Sequence, residues 1–178
     1  MIGSIHIGML ISPSLKAEVL FLMDMQEREV LFYQESETLT DLNPVFAQPS
    51  MTPFIWVEEK GLLVISSKSS KSVLATVQRK LDVVNIVQPS KDPYWQCSVT
   101  SALDNSFRVD GCWAGVIVET TKLRGGIVNF EIRNSAVVVA RSEWRNSRDV
   151  KLSVDDPSED PIVHIALILA IIELKKKK

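Results

Sequence analysis

The last nineteen residues, Asp160 to Lys178, read DPIVHIALILAIIELKKKK and decide the fold. Asp160 followed by Pro161 predicts the N-cap and the first position of a helix, and the lysines after Leu174 suit the negative end of its dipole. Every residue from 162 to 172 except His164 is apolar. A helix without a polar face is either buried on all sides or lies in a membrane.

The length of this helix distinguishes between the two environments. The residues from Pro161 to Leu174 span about 21 Å at the α-helical rise. The hydrocarbon core of a bilayer is roughly 30 Å thick. We therefore predict a helix buried inside protein, in a chain that is not transmembrane.

The rest of the chain supplies strands that can surround the helix. Short β-rich runs alternate with turn residues, and the predicted strands are Val19–Met23, Val30–Tyr33, Phe54–Val57, Leu62–Ile65, Val73–Lys80, Leu81–Val87, Tyr94–Val99, Phe107–Val109, Gly115–Thr120, Ile127–Ile132, Ala136–Arg141 and Val150–Val154. A further strand at Ile5–Ile11 is optional, and Leu39 to Pro53 is the longest irregular link.

These elements predict a mainly β (α+β) fold. It is a roughly twelve-stranded antiparallel β-barrel that encloses the hydrophobic C-terminal α-helix, because closure removes sheet edges and a wide interior needs filling. The alternative is a two-sheet sandwich with the helix across one face. We expect one domain over residues 1–178, with its core at about 17–174.

Composition and charge narrow the function classes. Twenty Lys and Arg residues against 22 Asp and Glu residues disfavour a protein that coats nucleic acid, which needs a basic excess. No Lys or Arg precedes Lys16, so the basic start of a secretory signal is missing. We expect a cytoplasmic protein, with a peripheral position at the plasma membrane left open, and with Cys97 and Cys112 reduced.

Five segments carry a resemblance to a known family. In chain order they are LFLMDMQEREVLFY (20–33), SVLATVQRK (72–80), FRVDGCW (107–113), AVVVARSEW (136–144) and DPIVHIALILAII (160–172). Together they resemble the LURP-one-related branch of the tubby C-terminal-like superfamily, a sister of the phospholipid scramblases. The resemblance implies a barrel around a central helix and a non-enzymatic role. Tubby domains bind phosphoinositide headgroups, and LURP-one-related proteins are linked to plant defence.

Catalytic and metal signatures are weak in the sequence. The only histidines are His6 and His164, and the sequence has no G-x-S-x-G motif, no P-loop and no dinucleotide fingerprint, so we expect no enzyme activity. Cys97 and Cys112 lack the paired spacing of a zinc site. The acidic run from Asp155 to Asp160 lacks the spacing of an EF-hand, although calcium binding there is left open. No cofactor is expected.

Basic clusters are the candidate binding sites. Lys68 and Lys71 lie in a serine-rich turn that can cradle a phosphate, and Arg79 and Lys80 end the next predicted strand. We expect these four side chains to converge on one rim of the barrel and bind a phospholipid headgroup. The terminal lysines are the predicted membrane contact: Lys175, Lys176, Lys177 and Lys178.

Three functions remain open from the sequence. The first is a non-enzymatic module that binds anionic phospholipids, such as phosphoinositides, at a membrane surface. The second is a protein-interaction or signalling scaffold whose basic residues are incidental and whose protein partners are unknown. The third is scramblase-like lipid translocation, which requires the last helix to enter the bilayer.

Overall fold

Twelve strands and one helix make up the regular structure of this computed structural model, which describes residues 19–33, 53–89, 95–111, 115–122, 128–144, 149–155 and 160–176. The strands are β1 (Val19–Asp24), β2 (Glu29–Tyr33), β3 (Phe54–Glu59), β4 (Leu62–Ser67), β5 (Val73–Lys80), β6 (Val83–Gln88), β7 (Trp95–Ser101), β8 (Ser106–Asp110), β9 (Gly115–Lys122), β10 (Val128–Asn134), β11 (Val137–Trp144) and β12 (Asp149–Val154), and the helix is α1 (Pro161–Lys175).

The strands form a closed antiparallel barrel. Each strand pairs with its neighbours along the chain, and β1 pairs with β12 to complete the wall. In this closing pair Val19 lies opposite Val154 and Asp24 lies opposite Asp149. The first and last strands therefore protect each other's edges, which would otherwise expose unpaired backbone groups.

The alternation of side chains within each strand gives the barrel its apolar interior. In β6, for example, Val84, Ile86 and Gln88 are buried, whereas the residues between them are half-buried. Successive side chains of a strand point to opposite faces, so one face of every strand lines the inside.

Helix α1 fills the barrel. Its residues from Ile162 to Ile171 are all buried, and it packs most closely against β5 and β6. Asp160 is the N-cap, and its Oδ1 accepts a hydrogen bond of 3.0 Å from the backbone N–H of Ile162. The Gln88 amide nitrogen of β6 donates a bond of 3.1 Å to the other carboxylate oxygen of Asp160. The predicted barrel around a C-terminal helix is confirmed.

Within the described ranges, no helix combines the length and the apolar content that crossing a bilayer needs.

Two details differ from the sequence-based expectations. Leu81 was expected to begin a strand, but it lies in the turn between β5 and β6 with a positive φ of 57°. Cys97 was expected to be reduced, but it forms a disulfide, so that prediction is wrong for this residue. The chain has one other cysteine, Cys112, which lies outside the described residues.

Some predictions fall outside the part of the chain that the structure describes. They concern the optional strand Ile5–Ile11, the link from Leu39 to Thr52, His6, and the last two lysines, Lys177 and Lys178.

Candidate functional site

The two ends of the barrel carry different sets of side chains. Because the strands alternate in direction, one end contains the turns that follow β1, β3, β5 and β7 together with the last turn of α1; we call it the helix-end rim. Its described turns are Met25–Arg28, Lys60–Gly61, Leu81–Asp82 and Ala102–Asn105. The opposite end, where α1 begins, is the helix-start rim, and it contains the turn 68–72 between β4 and β5.

The four basic residues of the predicted headgroup site do not converge. Lys68 and Lys71 precede β5, and Arg79 and Lys80 end it. β5 has eight residues, so its ends are about 23 Å apart. Lys68 and Lys71 therefore belong to the helix-start rim, and Arg79 and Lys80 belong to the helix-end rim. The prediction of one shared rim is wrong, because β5 runs the length of the barrel.

The serine-rich turn largely satisfies its own polar groups. The Lys68 ammonium lies 2.9 Å from a carboxylate oxygen of Glu29, and the Lys71 backbone N–H donates to the carbonyl of Ser67. The turn hydroxyls form two hydrogen-bonded pairs, at 3.1 Å for Ser67–Ser69 and at 2.7 Å for Ser70–Ser72. Lys71 alone remains as a cation of this turn without an ion-pair partner among the described residues, too little for a phosphate site.

Arg79 has a structural role at the other end of β5. Its Nη1 donates to the carbonyl oxygens of Glu173 and Lys176, the latter at 3.0 Å, and its Nε donates to the carbonyl of Leu81 at 2.9 Å. The last carbonyls of a helix have no partner within the helix. Arg79 supplies that partner, so its guanidinium holds the helix end and is not free to bind a ligand.

This contact brings two of the predicted basic groups to the same end. Lys80 follows Arg79, and α1 ends at Lys175, with Lys176 as its C-cap, on the same rim. The Lys175 ammonium lies 3.1 Å from a carboxylate oxygen of Glu119, whose side chain is only 6% exposed. It also lies 5.0 Å from the ring centroid of Phe130.

Lys175 and Lys176 are both exposed, and each has an acidic partner. Lys175 is held against the wall by Glu119, and the Lys176 ammonium pairs with the carboxylate of Glu173 within the last helical turn. Both charges are therefore partly neutralised at their own positions.

Two exposed lysines of the helix-end rim have no ion-pair partner within the described ranges: Lys60 and Lys80. Leu62 of β4 lies opposite Gln78 of β5, and each lysine is two residues beyond that pair. They consequently lie at the tips of neighbouring hairpins, roughly two strand spacings or 10 Å apart. Sequence reasoning did not identify Lys60 as a site residue; the signal that could have found it is its place in a Lys-Gly turn.

The helix-end rim also contains a small pocket of about 150 Å³. Its floor is apolar and its edge is charged: Met25, Trp56, Leu63, Leu169 and Ile172 form the floor, and Arg28, Glu58, Glu173 and Lys176 form the edge. The edge charges are paired, since Arg28 and Glu58 lie 4.0 Å apart and Lys176 contacts Glu173. The pocket is suited to one apolar side chain rather than to a charged ligand.

A second, more open pocket of about 360 Å³ lies on the outer wall towards the helix-start rim. It is lined by residues of β8 and β9 and by Ser135. Arg108 in its wall is neutralised by Asp110, with 2.9 Å between the guanidinium Nε and the carboxylate. Its one described cation is therefore already paired.

Within the described ranges, no three or more His, Cys, Asp and Glu side chains lie together as metal ligands. His164 is fully buried in the first turns of α1. A comparison of the chain with protein-family models, curated proteins and solved structures finds no match.

Proposed function

We propose that this protein is a non-enzymatic module that binds anionic phospholipid headgroups through its helix-end rim. The observation that carries the proposal is the exposure of Lys60 and Lys80, which lie on neighbouring hairpins of this rim and have no ion-pair partner within the described ranges. Arg79 holds the end of α1, where the terminal lysine run begins, at the same rim. The resemblance to tubby domains suggests the same class of ligand.

The strength of such binding depends on several weak contributions. Each lysine near an anionic membrane contributes about 1 kcal/mol, and Lys60 and Lys80 are exposed for this contact. Exposed acids at the same end offset part of the attraction: Glu27, Glu59, Asp82 and Asp104. We therefore expect moderate binding that weakens steeply as salt is raised.

Vesicle flotation tests the proposal. The protein is floated with phosphatidylcholine vesicles, and with the same vesicles containing phosphatidylserine or a phosphoinositide. We expect binding only to the anionic vesicles. In the double variant Lys60→Gln/Lys80→Gln, loss of two contacts lowers the affinity about 30-fold.

A matched control comes from the other end of the barrel. Lys71 is also exposed and has no ion-pair partner within the described ranges, but it lies on the helix-start rim. Lys71→Gln makes the same change in charge and should bind like the wild type. No binding to anionic vesicles would refute the proposal, and equal losses in Lys71→Gln and in Lys60→Gln would remove its assignment to the helix-end rim.

The small apolar pocket favours a second candidate, a protein-interaction scaffold. A partner that inserts one apolar side chain there would contact Met25, Trp56 and Leu169. Binding of a protein partner that survives Lys60→Glu/Lys80→Glu but is lost in Met25→Lys would support the scaffold. Loss of partner binding in the lysine variant would speak against it.

A further inference from the structure

Two leucines lie at the tips of neighbouring hairpins on the helix-end rim. Leu81, between β5 and β6, is 81% exposed, and Leu103, between β7 and β8, is 86% exposed. No other large hydrophobic side chain of the described residues is as exposed. Isolated surface leucines are common, so their positions relative to each other decide whether they matter.

The strand register places the two tips side by side. Val83, which follows the first turn, lies opposite Thr100, which is close to the start of the second turn. The two hairpins share the β6–β7 pairing, so their tips are laterally about 10 Å apart. Lys80 adjoins Leu81, and Lys60 is at the tip of the next hairpin. The four side chains therefore form one surface, the Leu-Lys tip surface: Lys60, Lys80, Leu81 and Leu103.

The backbone at Leu81 makes leucine a costly choice. Its φ is 57°, in the left-handed region that glycine and asparagine adopt more readily than other residues. Its side chain gains almost no burial in return. The two-residue hairpin turn accounts for the positive φ but not for a large exposed apolar side chain there, so we seek the reason for a leucine in a contact outside the molecule.

We propose that Leu81 and Leu103 insert into the outer layer of an anionic membrane while Lys60 and Lys80 contact its headgroups. This inference rests on the proposed function and adds the orientation and depth of the protein on the bilayer. In this orientation the helix-end rim contacts the membrane, the barrel axis is roughly perpendicular to the bilayer, and the helix-start rim faces the solution.

The shape of the surface favours a lipid layer over a protein partner. A stable protein interface buries about 800 Å² on each side around a contiguous apolar centre. Here the apolar contacts are two separate side chains on projecting turns, each next to at least one charged residue. Asp82 and Asp104 follow the two leucines directly and need hydration, which limits insertion to the boundary between headgroups and acyl chains, about 5–10 Å deep.

The test compares Leu81→Asn/Leu103→Asn with the wild type on vesicles of phosphatidylcholine and phosphatidylserine. Asparagine suits the backbone at position 81, so the double variant should remain folded. Each lost leucine contact should lower the affinity about tenfold. The matched control is Val137→Asn, which removes a side chain that is 66% exposed on the helix-start rim; its binding should equal that of the wild type.

A depth measurement separates insertion from an indirect effect. In Leu103→Trp the added indole should be quenched by lipids brominated near the headgroup end of the acyl chain, whereas Val137→Trp should show no added quenching. Quenching of the first variant alone supports insertion.

The outcomes distinguish failure of this inference from failure of the proposed function. Vesicle binding that depends on Lys60 and Lys80 but not on the leucines overturns insertion and leaves headgroup binding in place. Absence of vesicle binding in the wild type overturns both. If the wild type then self-associates and the leucine variant does not, the tips form a protein interface, which also overturns the lipid assignment.

Discussion

Arg79 of β5 donates a hydrogen bond of 3.0 Å from its Nη1 to the carbonyl oxygen of Lys176, the residue that caps α1. A second bond from the same nitrogen reaches Glu173. The wall of the barrel thereby completes the last turn of the helix it encloses. This contact holds the end of the helix, and with it the start of the lysine run, at the helix-end rim.

Replacement of Arg79 should therefore weaken the fold. Because hydrogen bonds from a charged donor contribute about 1.5–3 kcal/mol, Arg79→Met should lower the free energy of unfolding by about that amount in a urea titration. Lys80→Met, at an exposed neighbouring position without a described partner, should change it by less than about 0.5 kcal/mol. Similar effects of the two substitutions would contradict the capping role.

The ion pair between Glu119 and Lys175 gives a second prediction. Glu119 is nearly buried, so Lys175→Met leaves a carboxylate without its partner and should cost about 1–3 kcal/mol. Adding Glu119→Gln to that variant removes the stranded charge and should recover part of the loss. Urea titrations of the two single variants and the double variant measure this coupling, and strictly additive effects would show that the pair is unimportant.

Two glycines with positive φ provide a matched comparison. A Cβ at Gly111 (φ 101°) would lie 2.8 Å from the carbonyl oxygen of Gln96, whereas one at Gly61 (φ 77°) would meet nothing within 4 Å. Gly61→Ala should cost about 1–2 kcal/mol from the backbone alone. Gly111→Ala should cost about 1–3 kcal/mol more, because the neighbouring strand must move. Thermal unfolding of both variants tests the order, and equal costs would contradict the close approach.

The strained turn at Leu81 predicts a gain in stability. Leu81→Asn places a residue that accepts positive φ at this position and should raise the free energy of unfolding by about 0.5–1 kcal/mol. Leu103 does not have a positive φ, so Leu103→Asn should leave stability unchanged. Denaturation of the two single variants checks the difference. A loss of stability in Leu81→Asn would mean that the leucine packs within the protein after all.

The disulfide of Cys97 predicts sensitivity to reductant. A disulfide typically contributes about 2–4 kcal/mol to the free energy of unfolding. Cys97→Ser should lower the free energy of unfolding by that amount, and reductant should lower that of the wild type equally while leaving the variant unchanged. A free-thiol assay on the unfolded wild type should detect no thiol before reduction. Two reactive thiols in the untreated protein would contradict the disulfide.

The fold was largely predictable because its signals are local. The apolar run from Ile162 to Ile172 specifies a buried helix, and β5 begins and ends at the residues that its alternation predicted. Leu81 was misplaced because a leucine with positive φ gives no turn signal in sequence.

The arrangement of the candidate site was less predictable because it depends on distant partners. Lys68 pairs with Glu29, 39 residues away, and Arg79 bonds to Glu173, 94 residues away. Sequence identifies these side chains as cations but does not say which of them the folded chain neutralises. The register of β4 and β5 places Lys60 near Lys80, at the end of β5 opposite to Lys68 and Lys71.

The closing pair of β1 and β12 has a consequence for biosynthesis. The earliest described strand cannot find its second neighbour until residues 149–154 have left the ribosome, and the helix that fills the interior emerges later still. Until then the apolar inner side chains of the nascent strands have no helix to pack against. Pairing between strands so distant in sequence also forms slowly. A chain truncated before Pro161 would therefore lack the helix that completes the core. We expect chaperones and proteases to bind such a chain, and we do not expect it to fold into a smaller functional protein.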